Sequence, residues 1–335
     1  MRHNQPSVSV LMPVFNAEAT IADAVSSILR QTYDDFELVI VDDGSNDAGP
    51  AAVESFREKR IRLIRAPHRG IIHALNLGIA ECRAELIARM DADDISHPRR
   101  LEAQVSLMRS RPDVSVCSCL VRTFPSRAVL GGMRRYEQWL NSLVTHEQIA
   151  RDIFVESPIA HPTAMLRKRE LVEIGGYQER GWAEDYDLWL RYHAAGKRFA
   201  KVRQTLLMWR QTEGRITFVD SRYSVENFLR AKARYLAALL IGVDRPIVLW
   251  GAGKTGRRLS KHLMREGLGF EVVVDIDPNK IGHTLRQRPI VAPEYLANKK
   301  AFVIAAVSSH GARELIRNQL VKLGYLEGRD FICAA

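Results

Sequence analysis

Phe36-Glu37-Leu38-Val39-Ile40-Val41-Asp42-Asp43-Gly44-Ser45 is a short apolar run that stops on acid and glycine. Six residues of this kind, cut off by turn chemistry, read as a buried strand. The same unit recurs on either side. Upstream, 8–12 is an apolar run ended by Pro13, and 17–30 has helical spacing with Ile21, Ala24, Val25 and Ile28 on one face. Downstream come a helical stretch at 51–59, a strand at 61–64, a helix at 70–82 and a strand at 85–90 that ends at Asp91. The order βαβαβαβ predicts an α/β fold with a parallel sheet covered by helices. Such sheets bind ligands beyond the carboxyl ends of their strands. Three of those ends carry polar clusters, PVFN at 13–16, DDGS at 42–45 and DADD at 91–94, so the site is expected there.

The middle of the chain is less regular. Residues 122–145 hold Arg122, Arg127, Arg134, Arg135, Gly131 and Gly132 and read as a mobile basic loop. A strand is expected at 163–166, a helix at 184–195 and a long helix at 221–240 as a closing element or linker. The chain then restarts, with strands at 246–250, 270–274 and 301–307 and a helix at 312–323. A length of 335 residues suits two domains. They are expected at 1–240 and 245–335.

Hydrophobic residues at 46% and charged residues at 26% exclude a disordered chain, and the net charge of +10 favours polyanionic partners. No nucleic-acid-reading module is present, so nucleic acid is not expected among them. Phosphate-bearing substrates and an anionic membrane face stay open. The polar N-terminus is too short for a signal peptide, and no run of about 18 apolar residues occurs. A cytoplasmic protein follows, with peripheral attachment to the membrane's cytoplasmic face left open. Cys117 and Cys119 fall in the strand-like VSVCSCLV with no partner ligands for zinc; with Cys82 and Cys333 they read as buried thiols in a reducing compartment.

Asp91 and Asp93, at i and i+2 of an extended chain, project to one side. Two such carboxylates repel unless a divalent cation joins them, and magnesium or manganese sites use this chemistry. The alternative is a polar turn with Asp94 capping the next helix. Asp42 and Asp43 read either as acceptors for a base or ribose or as turn builders. Glu184 and Asp185 open a helix, where acids favour the dipole, or supply a general base.

Together these motifs resemble glycosyltransferase family 2, the inverting enzymes of the GT-A fold. The resemblance covers about 7–215 and rests on Pro13-Val14-Phe15-Asn16-Ala17-Glu18, Val41-Asp42-Asp43-Gly44-Ser45, Ala74-Leu75-Asn76-Leu77-Gly78-Ile79, Met90-Asp91-Ala92-Asp93-Asp94 and Glu184-Asp185-Tyr186-Asp187-Leu188-Trp189-Leu190-Arg191. It implies that Pro13, Phe15 and Glu18 line the nucleotide pocket and that Asp42 and Asp43 read the base, usually uracil. It implies that Asp91 and Asp93 form a DxD motif for Mn2+ or Mg2+, with Asp93 favoured as the direct ligand. Asp185 becomes the catalytic base with Glu184 beside it, Arg69 lies in a polar loop near the donor, and His161 lies on a strand at the acceptor edge. Arg210 matches the first residue of an Arg-x-His motif that touches the pyrophosphate, but Thr212 stands where His is expected. The donor is then a nucleotide-sugar, a UDP-sugar by preference, and the acceptor a glycan or lipid-linked hydroxyl in surface polysaccharide or glycolipid synthesis. A homo-oligomer is compatible with the sequence.

In the C-terminal part, Gly251-x-Gly253-x-x-Gly256 follows a strand, and Asp275 ends the next strand 22 residues after Gly253. This is the context of a dinucleotide fingerprint. The segment resembles the small Rossmann-like domain at the front of bacterial sugar O-acyltransferases, especially in Asp275-Ile276-Asp277-Pro278-Asn279-Lys280-Ile281-Gly282. A second nucleotide or nucleotide-sugar is expected there, or a degenerate docking module. Two other functional readings remain: a non-catalytic nucleotide-sugar-binding or assembly module, and an oxidoreductase using 245–335.

Overall fold

The computed structural model describes residues 5–211, 220–298 and 300–335. The chain divides into two compact units: 1–149 with 158–180 and 184–219, and 220–335 with 150–157 and 181–183. The long helix expected to close the first domain therefore clusters with the second.

The first unit is built on an eight-stranded sheet in the order β3-β2-β1-β4-β7-β6-β8-β5. Strands β1 (Val8–Val14), β2 (Phe36–Asp42), β3 (Ile61–Arg65) and β4 (Leu86–Arg89) run parallel. All seven residues of β2 are buried, as the unbroken apolar run requires of a strand covered on both faces. Helices α1 (Ile21–Leu29), α2 (Gly49–Glu54) and α3 (Ile71–Glu81) make the crossovers. The four apolar residues assigned to one face of α1 are all buried.

Gly78 shows how close this packing is. A β-carbon there would lie 2.1 Å from Leu11 Cδ1 and 3.1 Å from Val41 Cγ2, so any side chain at position 78 would have to displace the buried Leu11 between α3 and the sheet.

Beyond β4 the sheet mixes directions. After the two-residue β5 (Ile95–Ser96) comes α4 (Arg100–Ser110), then β6 (Val114–Phe124), which pairs antiparallel with β7 (Met165–Arg167) and parallel with β8 (Arg198–Arg210). Cys117 and Cys119 are buried on β6, and all four cysteines are free and buried. Burial pushes the Cys119 thiol up to about 11.

Two expectations are corrected, and one strand is new. The stretch read as a basic loop holds a helix, α5 (Gly131–Ser142), followed by α6 (His146–Asp152), because Met133, Tyr136 and Leu140 recur at helical spacing and pack on the core. His161 lies in a 3-10 turn, His161–Thr163, rather than on a strand, since Pro162 has no N–H to give a ladder. The 13-residue β8 has no counterpart in the sequence reading. Helices α7 (Lys168–Glu173) and α8 (Glu184–Ala194) complete the unit.

The second unit opens with α9 (Val225–Leu240), whose Ser224 side chain caps it through Asn227 N. Strands β9 (Ile247–Trp250), β10 (Val272–Val274), β11 (Thr284–Leu285), β12 (Arg288–Val291), β13 (Phe302–Ala305) and β14 (Phe331–Cys333) form a sheet ordered β11-β12-β10-β9-β13-β14, parallel apart from the β11–β12 hairpin. Helices α10 (Lys254–Arg265) and α11 (Ala312–Lys322) belong to it. The 150–157 strip is held by buried cations: Arg317 grips Asp152, and Lys232 Nζ donates to Val155 O at 2.7 Å.

The packing at Gly78 gives the first test. Gly78→Ala should lower unfolding free energy by about 1–3 kcal/mol, the usual cost of overpacking a core. Urea denaturation reads it directly, and a variant as stable as the parent would contradict the close approach of α3 to β1.

Candidate active site

The chain leaves β4 at Arg89 and turns through Asp91, Asp93 and Asp94, which bring one carboxylate oxygen each to within 4.8 Å of the others. At that separation two negative charges repel by roughly 3–4 kcal/mol at an effective dielectric constant of about 20. Two arginines oppose this. Arg89 is only 1% exposed, and its Nη2 donates to Asp91 Oδ1 at 2.5 Å while Nη1 donates to Met90 O. Burial works against its charge, but Asp91, Tyr177 and Glu184 hold the guanidinium above its ordinary value. Arg210, at the end of β8, donates its backbone N–H to Asp94 Oδ1 at 2.8 Å and its Nε–H to Asp93 O at 2.6 Å. Its guanidinium also lies over the Phe124 ring, 4.7 Å from the centroid. The residue expected at a pyrophosphate thus fastens the acidic turn. Thr212 lies outside the described residues.

Asp94 is completely buried, whereas Asp91 and Asp93 are half-buried. The sequence pattern expected Asp91 and Asp93 as a metal pair, and the structure groups Asp94 with them. A hard oxygen donor set of this kind fits magnesium or manganese.

Glu184 and Asp185 stand in the first turn of α8. Glu184 is buried, and Asp185, half-buried, accepts a hydrogen bond from Tyr186 N at 2.7 Å through Oδ1. The pair shares an electrostatic neighbourhood with the acidic turn. The buried Tyr177 phenol feels Arg89, Glu184, Asp185 and Asp91 together; burial and the three acids push it well above its ordinary value against the pull of Arg89. Its hydroxyl is 2.6 Å from His161 Nε2. Burial first, and then Arg89, holds His161 well below the usual imidazole range, so it stays neutral.

Tyr177 is held from two sides. Asn76 on α3 clasps its backbone, with Nδ2 donating to Tyr177 O at 2.8 Å and Oδ1 accepting from Tyr177 N at 2.9 Å. The Asp187–Arg191 pair on α8, 2.7 Å apart, lets Arg191 donate to Ile174 O and Gly176 O at 2.7 Å each. The ALNLG and EDYDLWLR motifs therefore meet on the short segment 174–177, which ends in a tyrosine that sequence reading passed over.

The other strand ends interlace. Asn46 N donates to Asn16 Oδ1 and Asn16 N to Ser45 Oγ, both at 2.9 Å, which ties the β1 loop to the β2 loop. Glu18 N donates to Asp47 Oδ2 at 2.8 Å, and Glu18 Oε2 accepts from Ala48 N at 3.0 Å ahead of α2. Asp42 closes its turn on Ser45 N at 3.0 Å. Asp43, also buried, accepts from Arg69 N at 2.9 Å and Gly70 N at 2.8 Å, and His68 Nδ1 lies 2.8 Å from its Oδ2. The His68 ring stacks on exposed Phe15, with centroids 4.1 Å apart. Pro13 sits half-buried in β1, and the Arg69 side chain is exposed. Glu18, Asp42 and Asp43 shape the loops, while Phe15, His68 and Arg69 present the accessible surface.

The second unit carries its glycine turn as a separate feature. A β-carbon on Gly256 would fall 1.8 Å from Gly251 O, so α10 packs against the turn only with glycine there. Asp275 at the end of β10 accepts from Ala252 N at 2.7 Å, and Lys280 Nζ reaches it at 3.4 Å. Gly253 precedes α10 with no side-chain cap.

A family model described as Glycosyl transferase family 2 matches residues 9–175. The amylovoran biosynthesis glycosyltransferase AmsE of Erwinia amylovora is 31% identical over 204 residues, 59% of this chain and 74% of its own. The chain belongs to glycosyl transferase family 2. A relative from Escherichia coli, the UDP-Gal:alpha-D-GlcNAc-diphosphoundecaprenol beta-1,3-galactosyltransferase, is 28% identical over 237 residues, 69% of this chain and 79% of its own. Among solved structures, S. aureus TarS 1-349 in complex with UDP-GlcNAc aligns with a TM-score of 0.58 at 20% identity, over 77% of this chain and 72% of that one. The mannosyltransferase PcManGT from Pyrobaculum calidifontis, in complex with GDP-Man and Mn2+, aligns at 0.51 and 19% identity, over 78% and 69%. These likenesses support the GT-A fold expected from sequence. The protein is a glycosyltransferase, and its relatives serve polysaccharide and O-antigen synthesis.

Arg89, Tyr177 and His68 were not among the residues read from the sequence. The signal for Arg89 was available, a lone cation in the apolar strand LIARM directly before the acids. Tyr177 had none, since its importance lies in contacts 101 residues away in sequence.

His161 yields a prediction with a definite sign. Its folded value lies below that of the unfolded chain, so its contribution to stability is intact above about pH 6.5 and is lost as pH falls through and below that value, where only the unfolded imidazole takes up a proton. His161→Gln should flatten the acid side of the stability curve between about pH 6.5 and 5, read by urea midpoints. An NMR titration of His161 with a midpoint near 6.5 would refute the buried neutral state.

Proposed function

We propose that the first unit transfers a sugar, with inversion, from a nucleotide-sugar to an acceptor hydroxyl, with Asp185 as the base and Asp91 and Asp93 as the seat of a divalent cation. The observation that carries the reading is that Asp91, Glu184 and Asp185 all act electrostatically on the buried Tyr177, and Asp91 and Glu184 also on the buried Arg89. Of the three acids on α8, Glu184 and Asp187 are buried and Asp185 is half-buried, which supports Asp185 as the group that meets the incoming alcohol.

Asp185 takes the proton from the acceptor hydroxyl as its oxygen attacks the anomeric carbon, and the nucleoside diphosphate departs from the opposite face. A positioned base of this kind contributes roughly 10²–10⁴-fold. Magnesium or manganese held by Asp91 and Asp93 would supply neutralising charge for the leaving diphosphate. Arg89 and Arg210 keep the acidic turn in shape before the donor arrives, so no reorganisation is needed during reaction.

Phe15 and His68 offer a flat, exposed aromatic surface for the base, and Asp43 fixes the loop that carries His68 and Arg69. A UDP-sugar is the favoured donor, in line with the UDP-sugars in the descriptions of the E. coli galactosyltransferase and of TarS. A glycan or lipid-linked alcohol is the acceptor class. The glycine turn of the second unit, with Asp275 and Lys280 beside it, is a candidate seat for a second nucleotide or nucleotide-sugar. Catalysis is assigned to the first unit alone.

Asp185→Asn should fold normally, bind donor with unchanged affinity, and transfer sugar at least about 100-fold more slowly. Near-parental transfer would remove Asp185 from the mechanism. Asp93→Asn should abolish the manganese-dependent rise in melting temperature that a bound nucleotide-sugar produces. Donor binding that ignores both the metal and this substitution would favour a non-catalytic binding module.

A further inference from the structure

We infer that the segment 122–136 is a docking surface for an anionic lipid bilayer. It contains Arg122, Arg127, Arg134 and Arg135 and no acidic residue. Arg122 lies 3.9 Å from Glu137. Among the described residues, Arg127, Arg134 and Arg135 are exposed and have no acid within ion-pair distance. Between them Leu130 is 77% exposed, the most exposed large apolar side chain among those described.

The segment is mounted on a fixed base. The inner face of α5 packs Met133, Tyr136, Trp139 and Leu140 on the core. Asn141 exchanges two hydrogen bonds with Val121 on β6, at 3.0 and 2.9 Å, and Lys201 Nζ donates to Leu140 O at 2.7 Å. With the aromatic residues turned inward, the outer surface offers only arginines, small residues and one leucine. Nucleic acid would find no exposed ring to stack on. A bilayer would find an apolar side chain to insert below the headgroups and guanidinium groups at phosphate level. The N-terminal end of α5 adds its dipole in the same sense.

The surface also adjoins the acidic turn. Phe124, at the end of β6, lies under Arg210, which holds Asp93 and Asp94. A membrane contact at 122–136 would present the active-site rim to alcohols at the lipid surface. The inference goes beyond the proposed reaction, and vesicle binding tests it without any transfer assay.

The experiment is co-sedimentation of the full chain with phosphatidylcholine vesicles and with vesicles of phosphatidylcholine and phosphatidylglycerol at 3:1. The parent protein should bind the anionic vesicles, lose binding as salt rises, and ignore the neutral ones. Each basic residue near an anionic surface contributes about fivefold in partition, so Arg127→Glu with Arg134→Glu and Arg135→Glu should lower binding at least about 100-fold. Leu130→Ser should lower it several-fold. A control reverses three exposed cations elsewhere, Lys59→Glu, Arg265→Glu and Lys322→Glu, with the same change in net charge. That control should retain most of the binding. Equal loss in the two triple variants would overturn the assignment to this segment, as would no preference for anionic vesicles, an inert Leu130→Ser, or tighter capture by an oligonucleotide than by vesicles. Matched melting temperatures show that both triple variants fold.

Discussion

Arg89 is a guanidinium sealed into the sheet next to three carboxylates, and the candidate site is organised around its charge. A cation so deeply buried is tolerable only when paired and hydrogen-bonded. Asp91 and Met90 O supply that pairing on the side of the acidic turn. On the other side its charge reaches Glu184, Tyr177 and His161, lowering His161 and being itself held up by the acids. A hydrophobic residue at position 89 would leave Asp91, Asp93 and Asp94 crowded within 4.8 Å with one cation fewer to hold them.

From that constraint the rest of the site follows in layers. Arg210 brings β8 to the acidic turn and uses Phe124 as its floor. Asn76 and the Asp187–Arg191 pair tie α3 and α8 to the backbone of 174–177. At the far strand ends, Asp43 spends its oxygens on the backbone of Arg69 and Gly70, which presents His68 to Phe15. Many residues in the family motifs therefore hold other residues in place: Phe15, His68 and Arg69 stay exposed, and Asp91, Asp93 and Asp185 are half-buried.

The two halves of the chain differ in how their loops are stabilised. In the first unit, loops at neighbouring strand ends lace together through side chains, as Asn16 does with Asn46 and Glu18 with Asp47 and Ala48. In the second, the glycine turn is closed by backbone approach at Gly256 and one carboxylate, Asp275. The first arrangement needs side chains at fixed places in several distant segments, and so leaves long motifs. The second needs mainly the absence of side chains.

The sequence by itself determined the first four strands, their helices and the acidic strand ends, because strand-length apolar runs and helical spacing are local signals that burial on a parallel sheet makes strong. It also sufficed for family membership, since five motifs in order are more than turn chemistry would produce. It did not reveal β8, the helix α5 within an arginine-rich stretch, or the turn at His161, where polar residues mask periodicity or proline breaks it. Only the tertiary structure decided that Asp94 joins the acidic group, that Arg210 fastens it, and that Tyr177 and Arg89 link the turn after β4 to the start of α8. The links of Arg210 to Asp93 and Asp94, and of Tyr177 to Asn76 and Arg89, join residues about 90 to 120 positions apart, and nothing in a one-dimensional pattern encodes which distant charges a fold will bury together.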